Sequence, residues 1–282
     1  LPTGISSEVL FYNKDLFDQY GVPYPTNYMT WEEVVELAQK FPTKTDEGKP
    51  LYGLSTYMTL GPFSYINDIA NAHNLQLIDE SNWKVVMDRS EWRKIWEQVV
   101  PAMQAGHFHL DSYKTVDNHP FNTGQAAMVR SNLSLAYRLE QLKNTSRYIN
   151  WDIVTIPIAS KSNPKSSYYT ITSAFGISKD SSQKDAAWDL MKYIIMKNKP
   201  LTELEGRSLL PLYELEYDAE PGPNQSFWKL LDDLRKLASV ELEFVIRGEK
   251  SIDEALISLQ ENGQLLLDEL WLEQTTLESD PG

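Results

Sequence analysis

The chain has 282 residues, of which 41% are hydrophobic and 23% are charged. This length and composition are typical of a globular protein with one large domain or two ordinary ones. Forty acidic residues against 26 basic residues give a formal net charge of −14, which disfavours nucleic acid and anionic membrane surfaces as partners. The absence of cysteine excludes disulfides, thiolate metal sites and cysteine nucleophiles.

Several helices are predicted from capping boxes and from apolar residues at helical spacing. Thr30 and Glu33 form a capping box that predicts a helix up to about residue 41. Asp88 and Glu91 predict a second helix, in which Pro101 should cause a kink or an early end. Three further helices are expected over residues 182–196, over residues 227–238, and after a capping box at residues 251–254.

Strand signals lie between these helices. Each is a short run of apolar or β-branched residues between turn formers. The predicted strands span residues 8–12, 126–130, 151–158 and 168–177. Strands that alternate with helices over this length predict an α/β fold.

The sequence contains no nucleophile elbow, phosphate loop or dinucleotide fingerprint of the kinds that mark common enzyme classes. His107, His109 and His119, with Asp111, make a metal site conceivable. We favour the alternative that these are solvated loop histidines, so neither a metal nor a cofactor is expected. Acidic pairs such as Asp253 and Glu254 lie in the first turns of predicted helices, where carboxylates stabilise the helix dipole.

Five longer segments, taken together and in order, are more specific than any of these patterns. They are VLFYNKDLF at 9–17 with GVPYP at 21–25 and TWEE at 30–33, FNTGQAAM at 121–128, WDIVTIP at 151–157, SAFGISK at 173–179 with AAWDL at 186–190, and GEKSIDEAL at 248–256. This series resembles the extracellular solute-binding proteins of bacterial ABC importers. The similarity is to the carbohydrate-binding type, whose best-known members bind maltodextrins.

The resemblance implies a type II periplasmic-binding-protein-like fold, in which two α/β lobes are joined by crossing segments. By this alignment, residues 1–7 are a hinge crossing, and residues 8–167 with 208–275 form the C-terminal lobe. Residues 168–207 belong to the N-terminal lobe, and 276–282 are a tail. Most of the N-terminal lobe is then expected to be absent from these 282 residues. The crossings at 1–7, 168–172 and 207–212 should lie side by side.

The same resemblance implies where ligand contacts should be. Sugar sites combine aromatic faces with hydrogen bonds to hydroxyls. Five ligand-binding residues are expected: Trp228, Tyr65, Asn132, Phe63 and Ser6. Trp228 is preferred to Phe227 because it lies off the apolar stripe of its helix, and Asn132 has a helix cap as its alternative role.

Hinge residues are expected at Ser6, Thr172 and Ser173. The implied function is a monomeric, non-enzymatic carrier that delivers a solute of the sugar or oligosaccharide class to a membrane permease by hinge closure. The implied location is extracellular, lipid-anchored on a Gram-positive cell, with the periplasm as the alternative. A carbohydrate-active hydrolase and a surface sensor or interaction protein remain as alternatives.

Overall fold

A computed structural model describes residues 2–57, 61–111, 115–162, 169–197, 203–204, 207–208 and 225–278. For some of these, among them Ser6, Thr172, Ser173 and Trp228, only the backbone is described. The strands are β1 (Pro2–Asn13), β2 (Tyr52–Thr56), β3 (Ile78–Asp79), β4 (Lys84–Val85), β5 (Ala126–Asn132), β6 (Trp151–Thr155), β7 (Tyr169–Ala174), β8 (Glu203–Leu204) and β9 (Arg207–Ser208). The α-helices are α1 (Lys14–Tyr20), α2 (Trp31–Ala38), α3 (Phe63–Ala72), α4 (Ser90–Gln104), α5 (Ser134–Gln141), α6 (Lys184–Lys197), α7 (Gln225–Ile246) and α8 (Ile252–Glu278).

The main sheet has the order β2–β5–β1–β6, and β7 pairs with the opposite half of β1. β2 and β5 run parallel, whereas β1 is antiparallel to both β5 and β6. The carboxyl ends of β2 and β5 therefore lie at the same edge of the sheet, next to residue 8 of β1. The four strand segments predicted from the sequence are confirmed, and the sheet as a whole is mixed.

Helices pack against both faces of this sheet and form two apolar clusters. The larger cluster joins α2, α3, α4, α7 and α8 to one face and includes the buried rings of Trp31, Trp92 and Trp96. The smaller cluster lies under α5 around Phe11 and Trp151, whose ring centroids are 5.5 Å apart. Burial of these large rings contributes most of the hydrophobic stabilisation in such a fold.

Two of the predicted capping boxes are confirmed. At α2, the Thr30 hydroxyl accepts from the Glu33 amide while the Glu33 carboxylate accepts from the Thr30 amide. The Ser251 and Glu254 pair does the same ahead of α8. The box expected at Asp88 was wrong: α4 begins at Ser90 and has no side-chain cap.

Pro101 does not end α4, which continues through it to Gln104. A proline removes only its own N–H donor, and the helix continues beyond it because the Ala105 amide donates to the Pro101 carbonyl oxygen at 3.0 Å. The apolar stripe of α4, which was predicted from its spacing, is buried over most of its length.

The segment around Phe63 and Tyr65 was expected to be a glycine-flanked loop with aromatic side chains facing a ligand. It is instead the helix α3, which packs against α4 and α7. Phe63, Ile66 and Ile69 are buried at helical spacing. The loop interpretation was wrong because the flanking glycine and proline mark the start of a helix rather than an exposed turn.

β1 is one continuous strand that takes part in two pairings. Residues 2–7 pair with β7, whereas residues 8–13 pair with β5 and β6. The expected adjacency of segments 1–7 and 168–172 is therefore confirmed for the residues described. The third expected crossing, 207–212, lies outside the described residues except for β9, which pairs with β8.

Helix α6 differs from the other helices in how little of its apolar surface is buried. Met191 is buried, whereas Trp188, Leu190 and Tyr193 are among the exposed large hydrophobic residues. The Trp188 side chain is 44% exposed and therefore does not pack α6 closely against a sheet. Within the ranges given above, no helix combines the length and apolar character that crossing a bilayer requires.

Candidate functional site

A cleft of about 690 Å³ lies at the carboxyl ends of β2 and β5, beside the point where β1 enters the main sheet. Its walls come from the end of β5, from the first turns of α5, and from single residues of β1 and of the segment after β2. The lining residues are Glu8, Tyr57, Arg130, Ser131, Asn132, Ser134, Leu135, Tyr137, Arg138 and Gln141. Ligands of open α/β sheets bind outside the carboxyl ends of strands, which makes this cleft the candidate site.

Arg130 is the central charged group of the cleft. Its Nη1 contacts the Glu8 carboxylate, and its Nε lies 2.6 Å from Oδ2 of Asp68 on α3. The Arg130 side chain is 16% exposed and the Asp68 side chain 5% exposed. This ion-pair network links β1, β5 and α3 at the bottom of the cleft.

The amino end of α5 provides polar groups to one wall. The Asn132 side-chain oxygen accepts a hydrogen bond from the Ser134 amide at 3.0 Å and a second one from the Ser134 hydroxyl. Asn132 thus contacts the first residue of α5, but the N-cap position is Leu133 and has no side-chain cap, so the expected capping role is not the one observed. Asn132 also lines the cleft. Arg138, one turn later, pairs with Asp117 at 2.7 Å.

Aromatic rings contribute to two walls of the cleft. Tyr137 on α5 is 54% exposed. Tyr57 stacks on the ring of His119, with centroids 4.1 Å apart and an angle of 25° between the planes. Its hydroxyl accepts from the Asn122 amide at 3.3 Å. One ring is thus fixed by stacking, whereas the other projects toward solvent.

His119 is the buried support of Tyr57. Its Nδ1 accepts from the Phe121 amide at 3.2 Å, so the proton lies on Nε2, which is 3.2 Å from the carbonyl oxygen of Thr56. Desolvation of this buried ring lowers the pKa of His119 from 6.5 to about 4, against a smaller opposing effect of the Thr56 hydrogen bond. The ring is therefore neutral at pH 7.

The three histidines do not form the solvated loop that was expected. His109 and His119 are buried, with ring centroids 6.0 Å apart, and burial also lowers the pKa of His109. The expectation was wrong because the strands bring residues 107–109 and 119 under the sheet edge, which the sequence spacing does not reveal. Among the described residues, no group of three or more His, Asp or Glu is placed to hold a metal ion.

Two of the expected ligand contacts are core residues. Phe63 is fully buried, and Tyr65 is 1% exposed with its hydroxyl donating to the His109 carbonyl at 2.7 Å. Neither ring presents a face to a ligand, so the expectation for Phe63 and Tyr65 was wrong. The reason is that α3 turns its apolar face inward and that a buried carbonyl satisfies the tyrosine hydroxyl.

Of the remaining expected site residues, Asn132 is the one whose side chain the structure describes. Asn132 lies in the cleft wall. The side chains of Trp228, Ser6, Thr172 and Ser173 lie outside the described part of the structure. For the pair at the start of α7, Phe227 is buried, as its place on the apolar stripe predicted. The role of Trp228 stays a prediction.

Sequence reasoning missed Glu8, Tyr57, Arg130, Tyr137 and Arg138 as lining residues. One signal was available: Glu8 and Arg130 are opposite charges at the ends of two predicted strands. No comparable signal marked Tyr57, because β2 was not predicted. Tyr137 and Arg138 lie on the short helix α5, which the sequence offered only through the alternative role of Asn132 as a helix cap.

Comparison with known proteins identifies the family. The family described as bacterial extracellular solute-binding protein matches residues 1–195. The chain belongs to this family. Its members are binding proteins of the extracellular space or periplasm, and the resemblance noted in the sequence is thereby confirmed.

A curated relative of this solute-binding protein is a putative binding protein of Brucella abortus (strain 2308), 22% identical over 248 residues. The alignment covers 83% of the present chain and 56% of the relative, so the chain spans little more than half of that protein's length.

Solved structures show the fold. A sugar transporter of Rhizobium etli in an open conformation has a TM-score of 0.63 at 20% identity, covering 94% of this chain and 71% of its own. The maltose-bound MalE3 of T. maritima has a TM-score of 0.60 at 18% identity, covering 94% and 72%. The solute-binding protein therefore has the predicted type II periplasmic-binding-protein-like α/β fold, over about 71% of its neighbours' chain length.

Proposed function

We propose that this chain is the ligand-binding part of a carbohydrate carrier that serves an ABC importer. The observation that carries the proposal is the cleft at the carboxyl ends of β2 and β5, which combines hydroxyl, amide and guanidinium groups with the rings of Tyr57 and Tyr137. Polar groups of this kind bind sugar hydroxyls, and aromatic faces cover the C–H faces of a sugar ring. The maltose bound by a structural neighbour supports the same ligand class.

The cleft favours binding over catalysis. Glycoside hydrolysis requires two carboxyl groups that act as acid and as base or nucleophile. Glu8 lines the cleft and Asp68 lies behind it, and both contact Arg130. We therefore propose a carrier rather than a hydrolase, acting as a monomer that hands its ligand to a membrane permease. A sensor with the same cleft would differ only in its partner.

We propose that residues 8–167 and 208–275 form one lobe, that 168–207 belong with a second lobe, and that 276–282 are a tail. The change of pairing partners within β1 at residues 7 and 8 supports a hinge there, with Ser6, Thr172 and Ser173 as hinge residues. The exposed apolar side chains of α6 support its assignment to a second lobe. Ligand would then bridge two walls and shift an open–closed equilibrium.

The test is a thermal-shift and calorimetric screen of the native full-length protein against neutral sugars and oligosaccharides. A ligand present at 100 times its Kd should stabilise the protein by about 2.7 kcal/mol. No shift with any sugar, together with a clear shift for a peptide or amino acid, would contradict the proposal. Absence of product after long incubation with the bound sugar separates the carrier from the hydrolase.

Matched tyrosine variants locate the site. Tyr137→Ala should weaken binding by about 1–3 kcal/mol, which is typical for loss of one well-placed aromatic contact. Tyr24→Ala is the control, because Tyr24 is also exposed but lies at the Tyr12 end of β1, away from the cleft. Equal losses for both variants would place the ligand elsewhere. Trp228→Ala tests whether Trp228 is a second stacking platform.

The location follows the family. We propose an extracellular protein, lipid-anchored on a Gram-positive cell or, alternatively, periplasmic. Fractionation of the native host, with and without globomycin to block lipoprotein processing, distinguishes these locations. Loss of uptake of the bound sugar on deletion of the gene would support delivery to a permease, whereas unchanged uptake with altered signalling would support the sensor.

A further inference from the structure

The charges around the cleft are arranged so that its cations are already neutralised. Arg130 contacts two carboxylates, that of Glu8 at the rim and that of Asp68 behind it. Asp68 is almost completely buried, since the residue as a whole is 3% exposed. A buried guanidinium with two carboxylate partners has little capacity left for a third anion.

The second cation of the described lining is paired as well. Arg138 contacts Asp117 at 2.7 Å on the rim of the cleft. Across the described lining residues and their ion-pair partners, three carboxylates thus face two guanidinium groups. These described groups together carry one net negative charge, in a protein whose overall charge is −14.

We propose that this cleft selects uncharged polyhydroxylated ligands against those that contain a carboxylate or a phosphate, and that Asp68 is the residue that determines this selectivity. The inference rests on the proposed carbohydrate function and specifies its ligand class. Asp68 acts by placing its carboxylate 2.6 Å from Nε of Arg130, so that the guanidinium offers no uncompensated charge to an anion.

One feature acts in the opposite direction. The amino end of α5 lies in the same wall, and its partial positive charge of about one half favours anions. The Asn132 side chain already accepts from the Ser134 amide at that end. A partial charge of about one half that is partly satisfied is smaller than the net single negative charge of the described ion-pair groups, so rejection of anions prevails.

The experiment compares neutral and acidic sugars of matched shape on the native full-length protein. Glucose with glucuronate, and galactose with galacturonate, differ at carbon 6 in charge while keeping the ring. In each pair that binds, the acidic member should bind about ten-fold more weakly. The gap should shrink as salt is raised, because screening weakens a charge effect but not a steric one.

Asp68→Asn is the decisive variant. Asparagine has the same shape and keeps an oxygen at the place of the carboxylate beside Nε of Arg130, but the network loses one negative charge. The gap between acidic and neutral sugars should fall to about three-fold or less. Asp233→Asn is the matched control, since Asp233 pairs with Lys236 on an exposed part of α7 and changes the net charge equally. It should leave the gap unchanged.

Each outcome is informative. Equal or tighter binding of the acidic sugar by the wild type overturns the inference but leaves the carbohydrate function standing. An unchanged gap in Asp68→Asn, with folding verified by thermal melting, overturns the role of Asp68. If that variant fails to fold, Glu8→Gln removes the more exposed carboxylate of the same network and should reduce the gap similarly; an unchanged gap there overturns the inference. Absence of binding to either sugar class overturns the proposed function, and this inference with it.

Discussion

Helices α2 and α6 both carry apolar residues at helical spacing, but α2 buries its apolar face whereas α6 leaves large apolar side chains exposed. α2 buries Trp31 to 1% exposure against the sheet and α4, whereas α6 leaves Trp188 44% exposed. Both helices follow a polar start and repeat apolar residues every three or four positions. Apolar residues that repeat every three or four positions therefore predict a helix. Whether the apolar face of that helix is buried depends on a surface that other segments of the chain supply.

Separate substitutions of Trp31 and Trp188 should give the largest difference in stability between the two helices. Trp31→Ala should reduce the free energy of unfolding by about 3–5 kcal/mol, because it leaves a cavity in the larger cluster. Trp188→Ala should cost no more than about 1 kcal/mol. Urea unfolding of both variants measures the values. Similar losses would mean that α6 is covered as fully as α2.

The packed region around His119 should contribute a pH dependence to the free energy of unfolding. The pKa of His119 is about 4 in the folded chain and near 6.5 when unfolded. Between these values the unfolded chain binds a proton that the folded chain does not, so stability falls as pH drops. From pH 7 to pH 5 the loss should be about 2 kcal/mol.

Urea unfolding of the wild type and of His119→Gln at both pH values measures this dependence. The variant should retain only the smaller dependence that His109, whose pKa is also lowered by burial, contributes in the same direction. An unchanged slope in the variant would show that His119 is not the group that titrates.

The packed region should also be sensitive to a single buried hydroxyl. Tyr65→Phe removes the donor to the His109 carbonyl and should cost about 1–2 kcal/mol, because that buried carbonyl loses its partner. Tyr137→Phe makes the same change on an exposed ring and should be close to neutral. Thermal melts compare the two. A neutral Tyr65→Phe would indicate that another group, such as water, reaches the carbonyl.

The smallest expected effect is at the start of α2. Thr30→Ala removes the cap from the Glu33 amide and should cost about 1 kcal/mol. Thr30→Ser keeps the oxygen and is the control. Hydrogen exchange at the first turn of α2 shows whether the loss is local. Equal stability of both variants would mean that packing of Trp31 alone sets the helix start.

Much of the fold was predictable because its signals are local. The capping boxes at Thr30 and Ser251 depend on residues three positions apart, and the strands depend on short β-branched runs. The site was less predictable because its contacts are distant in sequence. Arg130 meets Glu8 and Asp68 across 122 and 62 positions, respectively. Only the pairing of β1 with β5, and the helical form of α3, bring these three side chains together.

The continuous strand β1 has a mechanical consequence. Its second half lies between β5 and β6, with Val9 and Phe11 fully buried, whereas its first half pairs only with β7 among the described strands. The strand therefore resembles a lever that is fixed in the sheet from residue 8 onward, with residues 2–7 as its arm. From residue 7 to residue 2 the arm is about 17 Å long, at about 3.3 Å per residue. A tilt of about 10° at the fixed end displaces the far end by about 3 Å, which is roughly one residue of strand length. The fixed part of the strand begins at Glu8, which lines the cleft, so the arm tilts about a point on the edge of the cleft.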